Sequence, residues 1–201
     1  MKIGLSVTVK RKGDAGKWFA GFQKRMKGPH AVKVGFPAGT TGRHPNGLVD
    51  IVQIAIWNHY GTAGSGTNFV RNGVGGFGGP IPPRPFITVA IFKHRRQIRK
   101  LLKDIYVDIL HGKTTAEIGL SRLGQYGVSI IQDSIKSGNW APNSPLTIKI
   151  KGSSRPLIDG GHMVGAVTFA LEGGGRSASY RGGQAAGKAF GRALAKMFGG
   201  R

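Results

Sequence analysis

The stretch TTAEIGLSRLGQYGVSIIQDSIKS, residues 114–137, decides how this chain folds. Thr114 or Thr115 can accept a hydrogen bond from the orphan amides of a helix start. Glu117 then falls in the first turn, where the helix dipole favours negative charge. Gly119, Gly124 and Gly127 work against the helix, each by about 1 kcal/mol relative to alanine. A helix of this kind forms only where close packing holds it. The stretch therefore predicts a helix to Ser137 pressed tightly against the rest of its domain.

Upstream, Ile87 to Leu110 carries the longest helical signal, with IPPRPF (81–86) as a stiff, extended lead-in. Ile91, Ile98, Leu101, Leu102, Ile105 and Ile109 make one apolar face, and Lys93, Arg95, Arg96, Arg99, Lys100 and Lys103 make the other. Downstream lies NWAPNSPLTIKIKGSSRPLIDGGHM (139–163). Pro142, Pro145 and Pro156 fix φ and remove backbone donors, so this run reads as an extended, Pro-rich arm. Val167 to Leu171 follows as a short strand.

Toward the N-terminus, Ile3, Leu5, Val7 and Val9 alternate as in a half-buried strand over Lys2–Lys10. Asp14 can cap a helix carrying Trp18, Phe19, Phe22 and Met26 at helical spacings, which Gly28-Pro29 ends. A second strand spans Ala31–Phe36, and Pro37–Gly47 is a loop by composition. Leu48 to Tyr60 reads as a buried helix closed by Gly61. The glycine-rich segment that follows would lose about 1–2 kcal/mol per residue of backbone entropy on ordering, so it is expected to be flexible and to order only on a partner. At the other end, Gly173–Gly183 reads as a linker. Gln184–Phe198 reads as an amphipathic helix with Lys188, Arg192 and Lys196 opposite its apolar side.

The 201 residues suffice for one domain with appendages. The elements predict an α+β fold: a small, mostly antiparallel sheet, from the N-terminal strands and Val167–Leu171, packed against the two long helices. Residues 1–172 make a single domain with a flexible Gly-rich loop at 61–80 and the Pro-rich arm at 139–163. Residues 173–201 make a basic linker and C-terminal arm. Thirty Lys and Arg against eight Asp and Glu give a formal charge of +22, which predicts polyanionic or acidic partners. With no cysteine, disulfides, thiolate metal sites and cysteine nucleophiles are excluded. The N-terminus shows no signal peptide, and the longest apolar stretches, such as IVQIAIW, fall far short of the ~20 residues of a membrane span.

Three phosphate-loop lookalikes each lack a working part. GVGGFG (73–78) precedes GPIPP, with no helix N-terminus to hold a pyrophosphate. GGQAAGKA (182–189) has Ala189 where a Mg²⁺-binding hydroxyl belongs, and GKTT (112–115) has Val107 in place of the first glycine. The six histidines show no close ligand spacing, and the eight carboxylates are scattered; Asp104 and Asp108 read as offsetting nearby Lys and Arg on one helix. No catalytic, cofactor or metal residue is nominated, and the chain reads as a non-enzyme.

Three segments taken in order, IAIWNHYGT (54–62), IPPRPFI (81–87) and the run 139–163, resemble the tail-completion or neck proteins of long-tailed bacteriophages, which include virion morphogenesis and minor tail proteins. That family has an Asn-acid-aromatic-Gly-Thr helix end, a Gly-rich loop, a Pro-Arg-Pro-Phe lead-in to a long helix, a Trp-x-Pro-Asn-x-Pro segment and a Pro-Leu-Ile-Asp-Thr-Gly turn. Here His59 stands where an acid is common, and Gly160 where Thr is usual.

The resemblance implies a virion structural protein that completes the tail or neck so that head and tail join. The alternatives are a tail terminator capping the tail tube, or a sequence-independent DNA-binding architectural protein. It also implies a homo-oligomer, a hexameric ring, assembled in the host bacterial cytoplasm. Its partners would be stopper or connector, terminator and tail-tube proteins, with non-specific contact to genomic double-stranded DNA. On this reading Trp140, Pro142, Pro145, Leu157, Ile158, Asp159, Arg84 and Phe86 contact neighbouring subunits or partners, Asp159 also capping its turn or the next helix. Arg95, Arg96, Arg99, Lys188, Arg192 and Lys196 contact DNA or an acidic partner.

Overall fold

In a computed structural model the described residues are 14–36, 49–63, 69–71, 74–77, 80–173 and 179–180. The strand expected over Lys2–Lys10, the loop at Pro37–Gly47 and the helix at Gln184–Phe198 lie outside them. The elements run α1 (Ala15–Met26), β1 (Ala31–Gly35), α2 (Ile51–Tyr60), β2 (Phe69–Arg71), β3 (Val74–Phe77), α3 (Phe86–Leu110), α4 (Ala116–Ser137), α5 (Pro145–Lys151), α6 (His162–Ala166), β4 (Thr168–Glu172) and β5 (Ser179–Tyr180).

The fold is α+β, as the sequence implies. Strands β1, β4 and β5 form one antiparallel sheet in the order β1-β4-β5, with Val34 opposite Phe169 at the β1–β4 seam. Thr115, and not Thr114, caps α4, its hydroxyl accepting from the Ile118 amide at 3.4 Å. The three glycines of α4 mark its contacts. A Cβ on Gly124 would strike the Phe169 ring, one on Gly127 would lie 2.9 Å from Val34, and one on Gly119 would strike Ile105 of α3. Val34 and Phe169 are cross-strand partners, and Gly124 and Gly127 are one turn apart, so two side chains of the sheet seat in two gaps of the helix.

Around this seam the main core gathers Phe86 and Ala90 of α3, Ile131 and Ile135 of α4, Ile51 of α2 and Val164 of α6. A second cluster joins Ile105, Ile109 and Ala116 at the other end of α3, with Phe22 of α1 against it. Helix α1 buries no residue fully and is tied down by Arg25, whose Nε donates to the Ile109 carbonyl at 2.9 Å.

Several expectations are corrected. Helix α4 covers the sheet, and α3 packs chiefly along α4, so the longest helix forms an outer layer. Because α3 is covered on one side only, Ile91 and Leu102 are exposed and Ile98, Leu101, Ile105 and Ile109 alone turn inward. Helix α2 starts at Ile51, where Asp50 accepts from the Val52 amide, and it is half-exposed: Ile56, Trp57 and Tyr60 face outward. Asp14 makes no capping hydrogen bond; its carboxylate pairs with Lys17 at 3.1 Å. The glycine-rich stretch carries the antiparallel pair β2–β3, which contains most of GVGGFG, and the expected linker carries β5. The Pro-rich run is not an extended arm, since it contains α5 and the start of α6. Asp104 and Asp108 form no ion pair; those among the described residues are Lys17–Asp14 and Lys33–Glu172.

The glycine seam predicts opposite outcomes for one substitution at two sites. Gly124→Ala forces a methyl into the Phe169 ring and is expected to lower unfolding stability by about 1–3 kcal/mol, despite its better helix propensity. Gly16→Ala in α1 meets nothing within 4 Å and is expected to raise stability by about 0.5–1 kcal/mol. Urea unfolding of the two variants beside the parent measures both.

Candidate functional site

Arg84 stands between Pro83 and Pro85, which hold the chain extended and contribute no amide hydrogens. Its own amide donates to the Asn58 carbonyl at 2.8 Å, tying the lead-in of α3 to the last turn of α2. The guanidinium points inward and is only 4% exposed. Nε donates to the Ala141 carbonyl at 2.9 Å, Nη1 to Asn58 Oδ1 at 2.9 Å, and Nη2 to the Pro142 carbonyl at 3.1 Å and Asn143 Oδ1 at 3.3 Å. All four acceptors are neutral, and among the described residues no carboxylate pairs with it. Burial pulls its pKa down from the ordinary arginine value, yet a guanidinium stays protonated at physiological pH.

The surrounding bonds extend this clamp. Thr62 and Ile81 pair, the Thr62 amide donating to the Ile81 carbonyl at 3.0 Å and the Ile81 amide to Thr62 Oγ1 at 3.2 Å. Gly61 closes α2 with φ +76, a turn at which a Cβ would lie 2.7 Å from the Ile81 carbonyl oxygen. Asn143 Nδ2 donates to the Arg155 carbonyl at 3.2 Å and Lys151 Nζ to the same oxygen at 2.6 Å, closing the loop around α5. Burial lowers the Lys151 pKa, Asp159 raises it and the Arg84 charge lowers it further. Trp140 Nε1 donates to the Ser134 carbonyl at 3.0 Å. The three segments 54–62, 81–87 and 139–163, far apart in the chain, thus form one site around Arg84.

The residues expected at a subunit interface are largely closed within their own chain. Phe86 is fully buried, Leu157 is in the core, and Trp140 and Ile158 pack against it. Arg84 and Pro142 belong to the clamp, and Pro145 opens α5 behind its cap Ser144, which accepts from the Thr147 amide. The side chain of Asp159 is exposed and caps nothing; Gly161 is the N-cap of α6 and makes no side-chain cap. Leu157 has φ +61, a left-handed conformation unfavourable for leucine, retained because its side chain is held in the core. At Gly160, φ is +58 and a Cβ would lie 2.7 Å from the His162 ring, which accounts for glycine where the resembling turn has threonine.

His59 is also buried, edge-on to Phe86 at 5.2 Å between ring centroids, with Nε2 3.2 Å from Thr88 Oγ1. Its Nδ1 has no hydrogen-bond partner among the described residues. Burial holds its pKa below the ordinary 6.5, so the ring stays neutral where a carboxylate would be desolvated.

Arg95, Arg96 and Arg99 are exposed on α3, whereas Lys188, Arg192 and Lys196 lie outside the described residues. Sequence reading missed Asn58 and Asn143. The available signal was an arginine fixed between two prolines, which on burial needs neutral acceptors, beside asparagines in both neighbouring motifs. The clamp's donors are engaged by oxygens of the two neighbouring segments, so the arrangement holds the three segments together. Among the described residues, no three of His, Asp and Glu gather at a metal-ion distance.

Compared with protein-family models, with curated proteins and with solved structures, this chain matches none.

Arg84→Ala strands the oxygens of Asn58, Ala141, Pro142 and Asn143 and is expected to cost about 3–5 kcal/mol of stability. Arg84→Lys restores the charge without the fork and is expected to recover only part of it in chemical denaturation. Acidification tests His59. With its folded pKa depressed, the unfolded chain takes up the proton first, so its contribution is full above about pH 6.5 and is lost as pH falls through the folded value. Urea midpoints measured from about pH 7.5 to 5 are expected to fall more steeply for the parent than for His59→Gln.

Proposed function

We propose that this chain is a non-catalytic structural protein of a long-tailed phage virion, of the neck or tail-completion class. The observation that carries the reading is the Arg84 clamp: the three segments bearing the resemblance meet at one buried guanidinium. A likeness confined to scattered turns would give no reason for those segments to share a site. The clamp builds a rigid body from loops, which suits a component that docks and stays docked.

On this reading the protein acts as a homo-oligomeric ring, a hexamer, between connector or stopper and tail. The charge of +22 supports a rim that holds double-stranded DNA by counterion release without reading its sequence. That same charge favours a second reading, a free architectural DNA-binding protein.

Electron microscopy of particles assembled without this protein separates the readings. Full heads beside unattached tails, joined when the protein is supplied, are expected. Tails of uncontrolled length would instead assign it to tail termination, and normal infectious particles would overturn the virion role.

A further inference from the structure

The outer side of α3 carries a feature that neither the clamp nor a phosphate-binding role uses. Ile91, Phe92, Leu102 and Tyr106 are exposed there, Phe92 by 67%. At helical spacing they share one stripe with Arg95 and Arg99, running about 22 Å from Ile91 to Tyr106. The Arg95 guanidinium lies over the Phe92 ring at 4.8 Å from its centroid. Ile87, Thr88, Ile91, Phe92 and Arg95 line a shallow open groove at the start of the stripe. Lys103 and Arg96 flank it, both exposed. Asp104, exposed, and Asp108, half-buried, stand about five turns beyond Phe86 and Ala90 and share their angular positions, roughly opposite the stripe.

We propose that this stripe is a docking face for a partner protein segment that presents carboxylates beside apolar side chains, as an acidic amphipathic helix does. Exposed aromatics interleaved with arginine have the composition of protein–protein hot spots. Duplex phosphates would engage the arginines and leave Ile91, Phe92, Leu102 and Tyr106 without a role. A single strand stacks on open ring faces, whereas Phe92 is covered by Arg95 on one face, and Ile91 and Leu102 offer no ring. A second copy would bring arginine against arginine on a face without a carboxylate, between chains of +22 each. Charge complementarity therefore selects an acidic protein. The proposal stands on the helix face and does not require the virion assignment.

Fluorescence anisotropy with the full chain at physiological salt tests it, using three labelled probes: a designed Glu/Leu amphipathic helical peptide, a poly-glutamate peptide of equal charge and a short random-sequence DNA duplex. The amphipathic peptide is expected to bind at least about 10-fold more tightly than poly-glutamate. Phe92→Ala and Arg95→Ala should each weaken it by about 10-fold, and Lys93→Ala, off the stripe, by less than about 2-fold. Phe92 is surface-exposed, so an unchanged melting curve for Phe92→Ala certifies its fold. Equal binding of poly-glutamate would overturn the proposal in favour of bare charge attraction. Duplex binding that outcompetes the peptide, follows Arg95→Ala and ignores Phe92→Ala would overturn it in favour of nucleic acid. Self-association in sedimentation that Phe92→Ala abolishes would make the face a contact between copies.

Discussion

The close approach of α4 to the sheet is the constraint on which the rest of the molecule depends. Gly124 and Gly127 let the helix backbone settle onto Phe169 and Val34, and Gly119 does the same for Ile105 of α3. Three glycines make an isolated helix weak, so α4 draws its stability from what it touches. A helix weakened by three glycines thereby becomes the one that both layers share. Alanine at these positions would favour the helix and exclude its neighbours.

The Arg84 clamp solves a different problem, that of loops without a sheet or bundle to organise them. Burying a cation is unfavourable, and here no carboxylate offsets it; four neutral oxygens in fork geometry do. A planar guanidinium reaches acceptors on two sides at once, which a lysine ammonium does not. The arrangement specifies one mutual position for α2, the lead-in to α3 and the loop around α5. It also removes one positive charge from a surface that carries many, leaving the exposed cations of α3 to meet partners.

Burial redistributes the residues that chemistry alone would have sent to an interface. Trp140, Leu157 and Phe86 are three large apolar groups of the resembling motifs, and the chain closes them in or against its own core. Among the apolar groups left outside are Ile91, Phe92, Leu102 and Tyr106 of α3 and Ile56, Trp57 and Tyr60 of α2, and periodicity had put Ile91 and Leu102 on one face with the core positions. An apolar stripe on a long helix does not state how many neighbours the helix has. With α4 and α1 covering one side of α3, part of its apolar surface stays in solvent.

Local sequence determined much by itself. Gly28-Pro29 follows directly on the end of α1, Gly61 closes α2 at a positive φ that other residues rarely adopt, and Thr115 starts α4 with its own hydroxyl. The short strand at Val167–Leu171 and the α+β class follow from the run of predicted elements. These effects act within a few residues, so they can be read without knowing the fold. Tertiary structure alone decided that Val34 and Phe169 meet two helix glycines, that the 139–163 run folds around α5, and that Asn58 and Asn143 receive Arg84. Those outcomes depend on which distant surfaces come into contact, and a buried hydrogen bond across 59 residues leaves no local pattern to read.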